Sequence, residues 1–498
     1  MNILPRVGSL IFAAWLACFP IAQAQESRSL TNTAGKTIQV KVLSVTTDSA
    51  KVILENGATY TIPLASLVPA DREALMAMAA SSSTPAAAST TPAAAPMTPV
   101  SDGGISFEVL NTAVGQPLFG SSSLWETAPE EVATRLNWER ESRTTISESY
   151  RSYPPEEYRF LGARPYSASL YGEEGKITSI SLVFANKGDT YASAGRGQEH
   201  FIKGQPIPGG MEGVRALMDY DTELIRTSLT GLLGEPVKQR FGEGESRVNV
   251  ERWDWAGHAF LLSFVEDEYV SLAVQTTAFA DDRGNSAKVS DATIRERVRG
   301  SIERRDNGDV VITNIPMVDQ GPKGYCAPAT AERCMRFVGI PADMYLLAMV
   351  GESSAGGGTS VDRLLSNIGT DIKRKGRSFD ITDGELKMRD IKKSIDGGIP
   401  IIWALFSTDE FNKVANERTS SRKTDAWESY TEKVNAAAAA PGLTPDDSTS
   451  HVVIIMGYNE STNELAFSDS WGEKYLERWI TLPEAEQVSQ NRFYIIGL

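Results

Sequence analysis

A stretch of Ser, Thr, Pro and Ala interrupts the sequence near one end of the chain. Residues 81–103 consist almost entirely of these residue types. Such a composition has little apolar surface to bury and is typical of an extended, mobile linker. We therefore expect separate folding units, a short one before residue 81 and a longer part after residue 103.

The length of the chain also exceeds what one hydrophobic core normally organises. At about 150 residues per domain, a chain of 498 residues predicts about three folded units. Hydrophobic residues make up 41% and charged residues 23% of the chain, close to the average of globular proteins. The composition therefore confines disorder to local stretches.

Residues 1–24 have the pattern of a signal peptide. Arg6 lies near the start, an apolar run covers 10–21, and the small-residue site Ala-Gln-Ala occupies 22–24. The apolar run has about 12 residues, whereas a membrane-spanning helix needs about 20. We expect cleavage near Ala24 and export to the periplasm, the cell surface or the extracellular space, without a membrane span.

The charge balance excludes two classes of partner. The formal net charge is −15 at pH 7. Nucleic acid and anionic lipid require clustered Lys and Arg side chains that neutralise their charge. We therefore expect no nucleic-acid partner.

The histidines outside the C-terminal region do not predict a metal site. His200 and His258 are two of only three histidines in the chain, and neither has a ligand partner at helical or hairpin spacing. Each is interpreted as an ordinary surface or hydrogen-bonded residue. We expect neither a metal nor any other cofactor.

Two cysteines remain after removal of the signal peptide. Cys326 and Cys334 lie eight positions apart on what is predicted to be one helix. That spacing corresponds to about 12 Å along the helix, beyond the Cα separation of about 7 Å that a disulfide tolerates. Both are predicted to be free thiols.

Short alternating segments predict a small β-structure at residues 25–80. The predicted strands are Thr37–Val45, Lys51–Leu54 and Ala58–Ile62, with a hairpin turn at Asn56-Gly57 and a short helix from Pro69. The segment resembles the Sla homology domain one, a small SH3-like β-barrel, through Arg28, Gly35–Ile38 and Ile62–Leu67. The resemblance implies a protein or cell-surface ligand for the barrel, and a barrel that only serves as a spacer is the alternative.

Residues 104–285 are predicted to form an α/β accessory domain of unassigned role, with α+β as the alternative. The predicted elements are the helices Pro129–Leu136 and Gly213–Leu233, the paired strands Arg164–Leu170 and Lys176–Phe184, and one strand over Trp253–Phe264. This range contains no catalytic combination of residues. A charged connecting helix that starts at Ser290 is predicted for residues 286–309.

A cysteine lies where a loop meets a helix in the C-terminal region. Cys326 comes just before Pro328, which suits a first helical turn. The helix dipole and the free N–H groups at a helix start stabilise a thiolate, so Cys326 is the candidate nucleophile. Gln320, six positions upstream, is placed to donate to an oxyanion together with the N–H of the cysteine. Cys334 falls on the apolar stripe of the helix and is interpreted as a core residue.

A histidine and an aspartate follow on two neighbouring predicted strands. His451 opens an apolar strand over 450–459, and Asp469 lies in the segment 465–472. A hairpin through the polar turn 460–463 lays the strands side by side, which brings the carboxylate to the imidazole. His451 is therefore the candidate base, and Asp469 is the candidate residue that fixes its tautomer and orientation.

These motifs resemble those of papain-like cysteine peptidases. The order Gln, Cys, His and Asp, the His-led apolar strand and the Asp-Ser-Trp-Gly run carry the resemblance over residues 310–498. The Cys-Ala-Pro-Ala-Thr form is most similar to the branch that contains the bacteriocin leader (double-glycine) peptidases. The resemblance implies Cys326 as nucleophile and His451 as general base and acid. It also implies Asp469 as the orienting residue and Gln320 as the oxyanion donor.

The remaining expectations concern the surroundings of these residues. A polar, Ala-rich stretch over 407–450 precedes the histidine and is interpreted as a lid over the cleft. Trp403 is predicted to lie in the core and Trp471 on the wall of the cleft. The whole chain is predicted to be α+β, with a papain-like peptidase domain at the C-terminus and a small SH3-like β-barrel and a middle α/β domain upstream.

Three functions are compatible with this sequence. The first is hydrolysis of a peptide or protein substrate through a Cys thioester. The second is acyl transfer to an amine, as in transglutaminase-like proteins, which uses the same residue types. The third is a non-enzymatic surface adaptor with a retired peptidase domain, although retirement usually removes a triad member and none is missing.

Overall fold

The computed structural model describes residues 28–31, 33, 36–45, 49–54, 59–81, 104–190, 210–243, 247–285, 289–354, 358–437 and 442–498. The chain divides into two compact units, Met1–Met97 and Thr98–Leu498. The predicted signal peptide, His200, the turn at Asn56-Gly57 and all of the predicted linker except Ser81 lie outside the described residues.

An antiparallel sheet makes up the described part of the first unit. Its strands pair in chain order, β1 (Arg28–Thr31), β2 (Thr37–Val45), β3 (Ser49–Leu54) and β4 (Thr59–Pro63), and helix α1 (Pro69–Ser81) follows. Val40, Val52 and Leu75 are among the side chains of its small core. Among the described residues of this unit, β1 and β4 are not paired, so the predicted SH3-like barrel is not found closed and stays a prediction.

Residues 104–285 are built on an eight-stranded sheet with the order β5-β6-β7-β8-β12-β11-β10-β9. In chain order the elements are α2 (Phe107–Val114), α3 (Pro129–Leu136), β5 (Glu139–Arg143), β6 (Ser147–Ser152), β7 (Ser167–Glu173), β8 (Lys176–Asn186), α4 (Lys187–Thr190), α5 (Gly210–Leu233), β9 (Val237–Phe241), β10 (Val248–Trp255), β11 (His258–Val265), β12 (Tyr269–Thr276) and α6 (Thr277–Asp281). All neighbouring strands are antiparallel, which is the connectivity of an α+β domain and not of a parallel α/β domain. We call this region the middle domain.

Most of the elements predicted for the middle domain are confirmed, with one exception. Helix α3 has the predicted bounds, with Pro129 in its first turn, and strands β7 and β8 pair as expected. The prediction of one strand over Trp253–Phe264 is wrong, because the chain reverses at Ala256 and Gly257, which have φ angles of 46° and 79°. Large apolar residues recur at every second position in each arm, at Trp253 and Trp255 and then at Phe260, Leu262 and Phe264, so the two arms resemble one strand.

The C-terminal region contains a second eight-stranded sheet. In chain order the elements are α7 (Asp291–Gly300), β13 (Ile302–Arg304), β14 (Asp309–Ile312), α8 (Cys326–Phe337), α9 (Met344–Val350), α10 (Val361–Arg374), β15 (Ser378–Asp383), α11 (Met388–Asp396), β16 (Ile401–Phe406), α12 (Asp409–Thr424), α13 (Trp427–Ala437), β17 (Ser450–Asn459), β18 (Glu464–Ser468), β19 (Arg478–Thr481), α14 (Leu482–Val488) and β20 (Ser489–Gly497). The main order is β13-β14-β17-β16-β20-β15, and β18 and β19 extend from β17. Helix α8 packs on β17, and Trp403 is fully buried in the core as predicted.

The connecting helix is shorter than predicted. Helix α7 begins as expected, with the Ser290 side chain accepting from the Thr293 N–H, but it ends at Gly300. The chain then enters β13, which pairs with β14. The second half of the predicted helix therefore belongs to the C-terminal sheet.

The stretch 407–450 does not form the predicted lid in its described residues. Phe411 and Ala415 of helix α12 are fully buried in the C-terminal core. The Trp479 N–H on β19 donates to the Thr419 hydroxyl at 2.9 Å. Only one side of helix α12 packs against the C-terminal core, and the residues on its other sides are polar. The helix is therefore part of the domain and not a separate lid.

Helix length and hydropathy bear on the predicted absence of a membrane span. Within the described ranges, none of the helices is both long and apolar enough to cross a membrane.

We predict that Phe411→Ala lowers the free energy of unfolding by about 3–5 kcal/mol, because it removes a fully buried aromatic side chain from the core. Urea denaturation followed by tryptophan fluorescence measures this loss. The matched control is Lys413→Ala on the exposed side of the same helix, which should change stability by less than about 0.5 kcal/mol. Equal stability of both variants would mean that α12 is loosely attached, as a lid would be.

Candidate active site

Cys326 is the first residue of helix α8 and is partly exposed. The loop before it leads from β14, and buried residues of α8, including Ala327 and Cys334, anchor the helix in the core. The backbone N–H groups of Ala327 and Val452 hydrogen-bond to the thiol. A helix start also directs free N–H groups and the positive end of the helix dipole at this position. The sequence prediction of a thiol at a helix N-terminus is confirmed.

His451 lies on β17 and is hydrogen-bonded on two sides. Its Nε2 is 3.0 Å from Oδ1 of Asp469. Its ring also makes a hydrogen bond with the Cys326 thiol, which leaves Nδ1 for that contact. The β17–β18 hairpin predicted from the sequence is present and places the carboxylate beside the ring. The structure therefore brings Cys326, His451 and Asp469 into one hydrogen-bonded row.

The carboxylate of Asp469 has a second partner that the sequence did not reveal. Its Oδ2 accepts from Nη1 of Arg478 at 2.6 Å, and both residues are buried. The other end of the guanidinium donates to the backbone carbonyl and the side-chain oxygen of Asn412, at 3.1 and 3.0 Å. Arg478 begins the short buried strand β19, ahead of Trp479 and Ile480, and its charge there indicates a buried partner without specifying which residue it is. Arg478 therefore restrains the orientation of the carboxylate that accepts the hydrogen bond from His451.

A second buried arginine joins the helix to the strand ends. Arg333 on α8 is fully buried and donates to the backbone carbonyls of Pro316 and Asp469, each at 2.9 Å. It also donates to the Ser468 hydroxyl at 2.5 Å. Arg333 thus ties the helix that carries the thiol to the segment that carries the carboxylate.

An aromatic ring covers the imidazole. The indole of Trp471 stacks on His451 with centroids 4.7 Å apart and an angle of 25° between the rings. Tyr475 packs edge-on against that indole at 5.5 Å. Stacking restricts rotation of the imidazole and shields it from water. Trp471 therefore lies against the candidate base, in agreement with its predicted place at the cleft wall.

Gln320 lies in the loop before α8 and is largely buried. Its backbone N–H donates to the Ser470 carbonyl at 2.9 Å, and its side-chain Nε2 donates to the Lys323 carbonyl at 3.0 Å. A primary amide has two N–H donors. One donor is occupied by Lys323, and the buried Oε1 has no hydrogen-bond partner among the described residues.

The pair of Cys326 and His451 favours the charged forms. Burial by itself raises the pKa of the Cys326 thiol, but the hydrogen bond and the charge of His451 outweigh it and the pKa lies below its ordinary value. Burial by itself lowers the pKa of His451, but the hydrogen bonds to Asp469 and Cys326 raise it to about 9. Both shifts favour a thiolate beside an imidazolium, and a thiolate is the nucleophilic form of cysteine.

Cys334 has the opposite environment. It is buried in the core, where desolvation raises the pKa of its thiol to about 12. Both described cysteines are free, as predicted. Cys334 is therefore an inert core residue.

His258 lies in the core of the middle domain. Its ring is fully buried, stacks on Trp125 and contacts the Ser123 hydroxyl and the Trp255 carbonyl. It is therefore the hydrogen-bonded residue of the two alternatives, and the surface alternative is wrong. Burial lowers the pKa of His258 to about 4. Across the described ranges, no group of three or more His, Cys, Asp or Glu side chains is arranged to hold a metal ion.

Comparison with known proteins identifies the class of the C-terminal domain. Residues 312–497 match the model of the Peptidase_C39 like family. Among solved structures, the peptidase domain of Streptococcus ComA, a bi-functional ABC transporter involved in a quorum sensing pathway, matches with 10% sequence identity and a TM-score of 0.25, covering 37% of this chain and 98% of that chain. No curated protein matches. The C-terminal region is therefore a Peptidase C39-like domain, and the family match alone carries that statement.

We predict that iodoacetamide at pH 7 alkylates Cys326 in the native protein and reaches Cys334 only after unfolding. The pKa of the Cys326 thiol is lowered at a helix start, whereas burial in the core raises that of the Cys334 thiol to about 12. Peptide mass spectrometry after a short exposure measures both sites. Cys326→Ser serves as the control and should show no native labelling. Equal native labelling of the two cysteines would contradict this placement.

We also predict that His451 and His258 titrate far apart. The carboxylate and thiolate stabilise the protonated ring, so the His451 NMR signals should move with a midpoint near pH 9, whereas those of His258 should move near pH 4. Asp469→Asn removes one negative charge and should shift the His451 midpoint to lower pH while leaving His258 unchanged. A His451 midpoint at or below the ordinary value of about 6.5 would rule out the ion pair.

Proposed function

We propose that the chain is an exported cysteine peptidase that hydrolyses peptide bonds through a Cys326 thioester. The observation that carries the proposal is the hydrogen-bonded row of Cys326, His451 and Asp469 at the start of helix α8. A nucleophile, a base in contact with it and a third group that orients the base are the parts that acyl transfer requires. The Peptidase C39-like match over residues 312–497 supports the same chemistry.

The acylation step uses the ion pair directly. The Cys326 thiolate attacks the carbonyl carbon of the substrate, a C–S bond forms, and the carbonyl oxygen becomes an oxyanion. His451 then gives its proton to the departing amine nitrogen as the C–N bond breaks. The products are a free amine, a thioester on Cys326 and a neutral imidazole. Asp469 stays ionised and holds the ring in place throughout.

Deacylation restores the starting state. The neutral His451 takes a proton from water while the water oxygen attacks the thioester carbon. The C–S bond breaks, the carboxylic acid product leaves, and the thiolate–imidazolium pair forms again. Water access to the thioester therefore separates hydrolysis from transfer to an amine.

Gln320 is proposed as the donor to the oxyanion. Its second side-chain N–H, together with the N–H of Cys326, would bind the oxygen on which the charge develops. The buried position of Gln320 supports this role, because a hydrogen bond in a site with little water is stronger than one in solution.

The remaining regions suggest where the peptidase acts. The signal-peptide pattern over residues 1–24 supports export to the periplasm, the cell surface or the extracellular space. The substrate is a peptide or protein. The Sla homology-like segment at 25–80 is proposed to bind a protein or cell-surface ligand.

The test is a set of variants of the chain without residues 1–24, incubated with a peptide library and analysed for new termini by mass spectrometry. We predict that Cys326→Ser abolishes cleavage with little change in melting temperature and that His451→Ala costs nearly as much. Asp469→Ala should leave residual activity. Asp469→Asn should also lose activity, because its oxygen can accept from the ring only if its NH2 group faces the Arg478 guanidinium, which is itself a donor. Gln320→Ala should lower kcat by about 10² to 10³ with little change in KM.

The matched control is Cys334→Ala, which removes the other thiol and should keep turnover. Addition of a primary amine distinguishes the two reactions, because an amide product in place of the acid would indicate acyl transfer. Cleavage that survives Cys326→Ser would refute the proposed mechanism, and an unchanged kcat in Gln320→Ala would show that this glutamine is only a loop residue.

A further inference from the structure

The loop that delivers Cys326, residues 319–325, is packed against the middle domain, and we call it the nucleophile loop. The Asp319 N–H donates to Oε1 of Glu141 at 2.7 Å, and the Tyr153 hydroxyl donates to the Asp319 carbonyl at 2.5 Å. Gly321 has a φ of 67°, and a Cβ built there would lie 2.5 Å from the Tyr153 ring. The approach is so close that only glycine fits.

Lys323 is a buried residue of this loop that contacts the middle domain. Its side chain is 1% exposed, and its ammonium lies 3.3 Å from Oδ1 of Asp189. The ammonium also faces the rings of Tyr153, Tyr345 and Tyr325 at 4.7, 5.0 and 5.5 Å. Burial lowers the pKa of Lys323, and the Asp189 carboxylate opposes that shift. The charge is therefore held by one carboxylate of the middle domain and by three aromatic faces.

Asp189 is itself fixed. Its N–H donates to Oδ1 of Asn186 at 2.8 Å, and its Oδ2 accepts from Nδ2 of Asn186 at 3.0 Å. The hydroxyl of Tyr345, on α9, donates to the same Oδ2 at 3.3 Å. The carboxylate is therefore already oriented toward Lys323 and does not need to reorganise to meet it.

The backbone of Lys323 connects this ion pair to the candidate oxyanion donor. Its carbonyl accepts from Nε2 of Gln320 at 3.0 Å and from the Tyr325 N–H at 2.9 Å. Tyr325 directly precedes Cys326. A shift of Lys323 would therefore move the amide of Gln320, whereas helix α8 is anchored in the core by its own buried residues.

We propose that Lys323 and Asp189 are a positioning pair through which the middle domain orients Gln320 for the oxyanion. The inference rests on the proposed peptidase function. It assigns the middle domain a role in stabilising the oxyanion of the transition state, in addition to any contribution that the domain makes to folding. Neither residue touches the substrate in this scheme, and both act through the carbonyl of Lys323.

The experiment combines Asp189→Asn with Lys323→Met, which removes both charges and leaves neither one buried without a partner. Positional errors of about 1 Å at a catalytic group cost up to about 100-fold in rate. We therefore expect kcat to fall about 10- to 100-fold with KM within about twofold of wild type. Adding Gln320→Ala to this variant should cause no further loss beyond that of Gln320→Ala alone, because the pair acts only through Gln320.

The matched control is Lys187→Met with Glu268→Gln. Lys187 lies two positions before Asp189 in sequence, and its ammonium is 2.5 Å from the Glu268 carboxylate. Among the described residues, neither side chain hydrogen-bonds to the nucleophile loop. Its kcat and KM should stay within about twofold of wild type. A loss of kcat equal to that of the test variant would show that any ion pair at this surface has the same effect, and it would overturn the inference.

A second readout does not depend on activity. Hydrogen exchange of a peptide that covers 319–325 should be faster in the Asp189→Asn, Lys323→Met variant and unchanged in the control, because the Gln320 and Tyr325 N–H groups are hydrogen-bonded within this arrangement. Additive losses with Gln320→Ala, or unchanged exchange, would overturn the inference. If the wild-type chain cleaves no peptide, the proposed function is wrong. The hydrogen-exchange result would still show whether the Lys323 and Asp189 pair positions the loop.

Discussion

The buried carboxylate of Asp469 is the contact on which the geometry of the candidate site depends. One of its oxygens meets His451 and the other meets Arg478, which in turn is bound by Asn412 of α12. A buried carboxylate is stable only when every oxygen has a partner, because desolvation of an ion is costly. Strands β17, β18 and β19 and helix α12 must therefore all be in place before the imidazole has its orientation.

The sequence predicted the features that local pattern controls. Cys326 at the start of α8, helix α3 and the hairpin that joins His451 to Asp469 each depend on residues within about one element of each other, where capping, turn and alternation signals act. The resemblance to papain-like peptidases rests on the same short motifs, and the family match at 312–497 agrees with it.

Apart from the Cys326, His451 and Asp469 set, which the motifs and the family resemblance indicated, the sequence did not predict contacts between distant residues. Arg478 and Asn412 are 66 positions apart, and Lys323 meets a carboxylate of the middle domain. No local signal specifies such a pair, since a charged residue in a polar loop usually points into water. The stretch 407–450 was misread for the same reason, because the few apolar residues of α12 that face the core did not stand out in a polar sequence.

The contact between the nucleophile loop and the middle domain has a consequence for how chains of this kind diversify. The match to the family begins at residue 312, but two carboxylates that bind the loop, Glu141 and Asp189, lie far upstream in the sequence. A gene fragment cut at the family boundary would leave the Lys323 ammonium without its carboxylate. The segment that matches the family and the segment whose contacts hold the nucleophile loop therefore have different boundaries. Recombination at residue 312 would separate the loop from the carboxylates of Glu141 and Asp189.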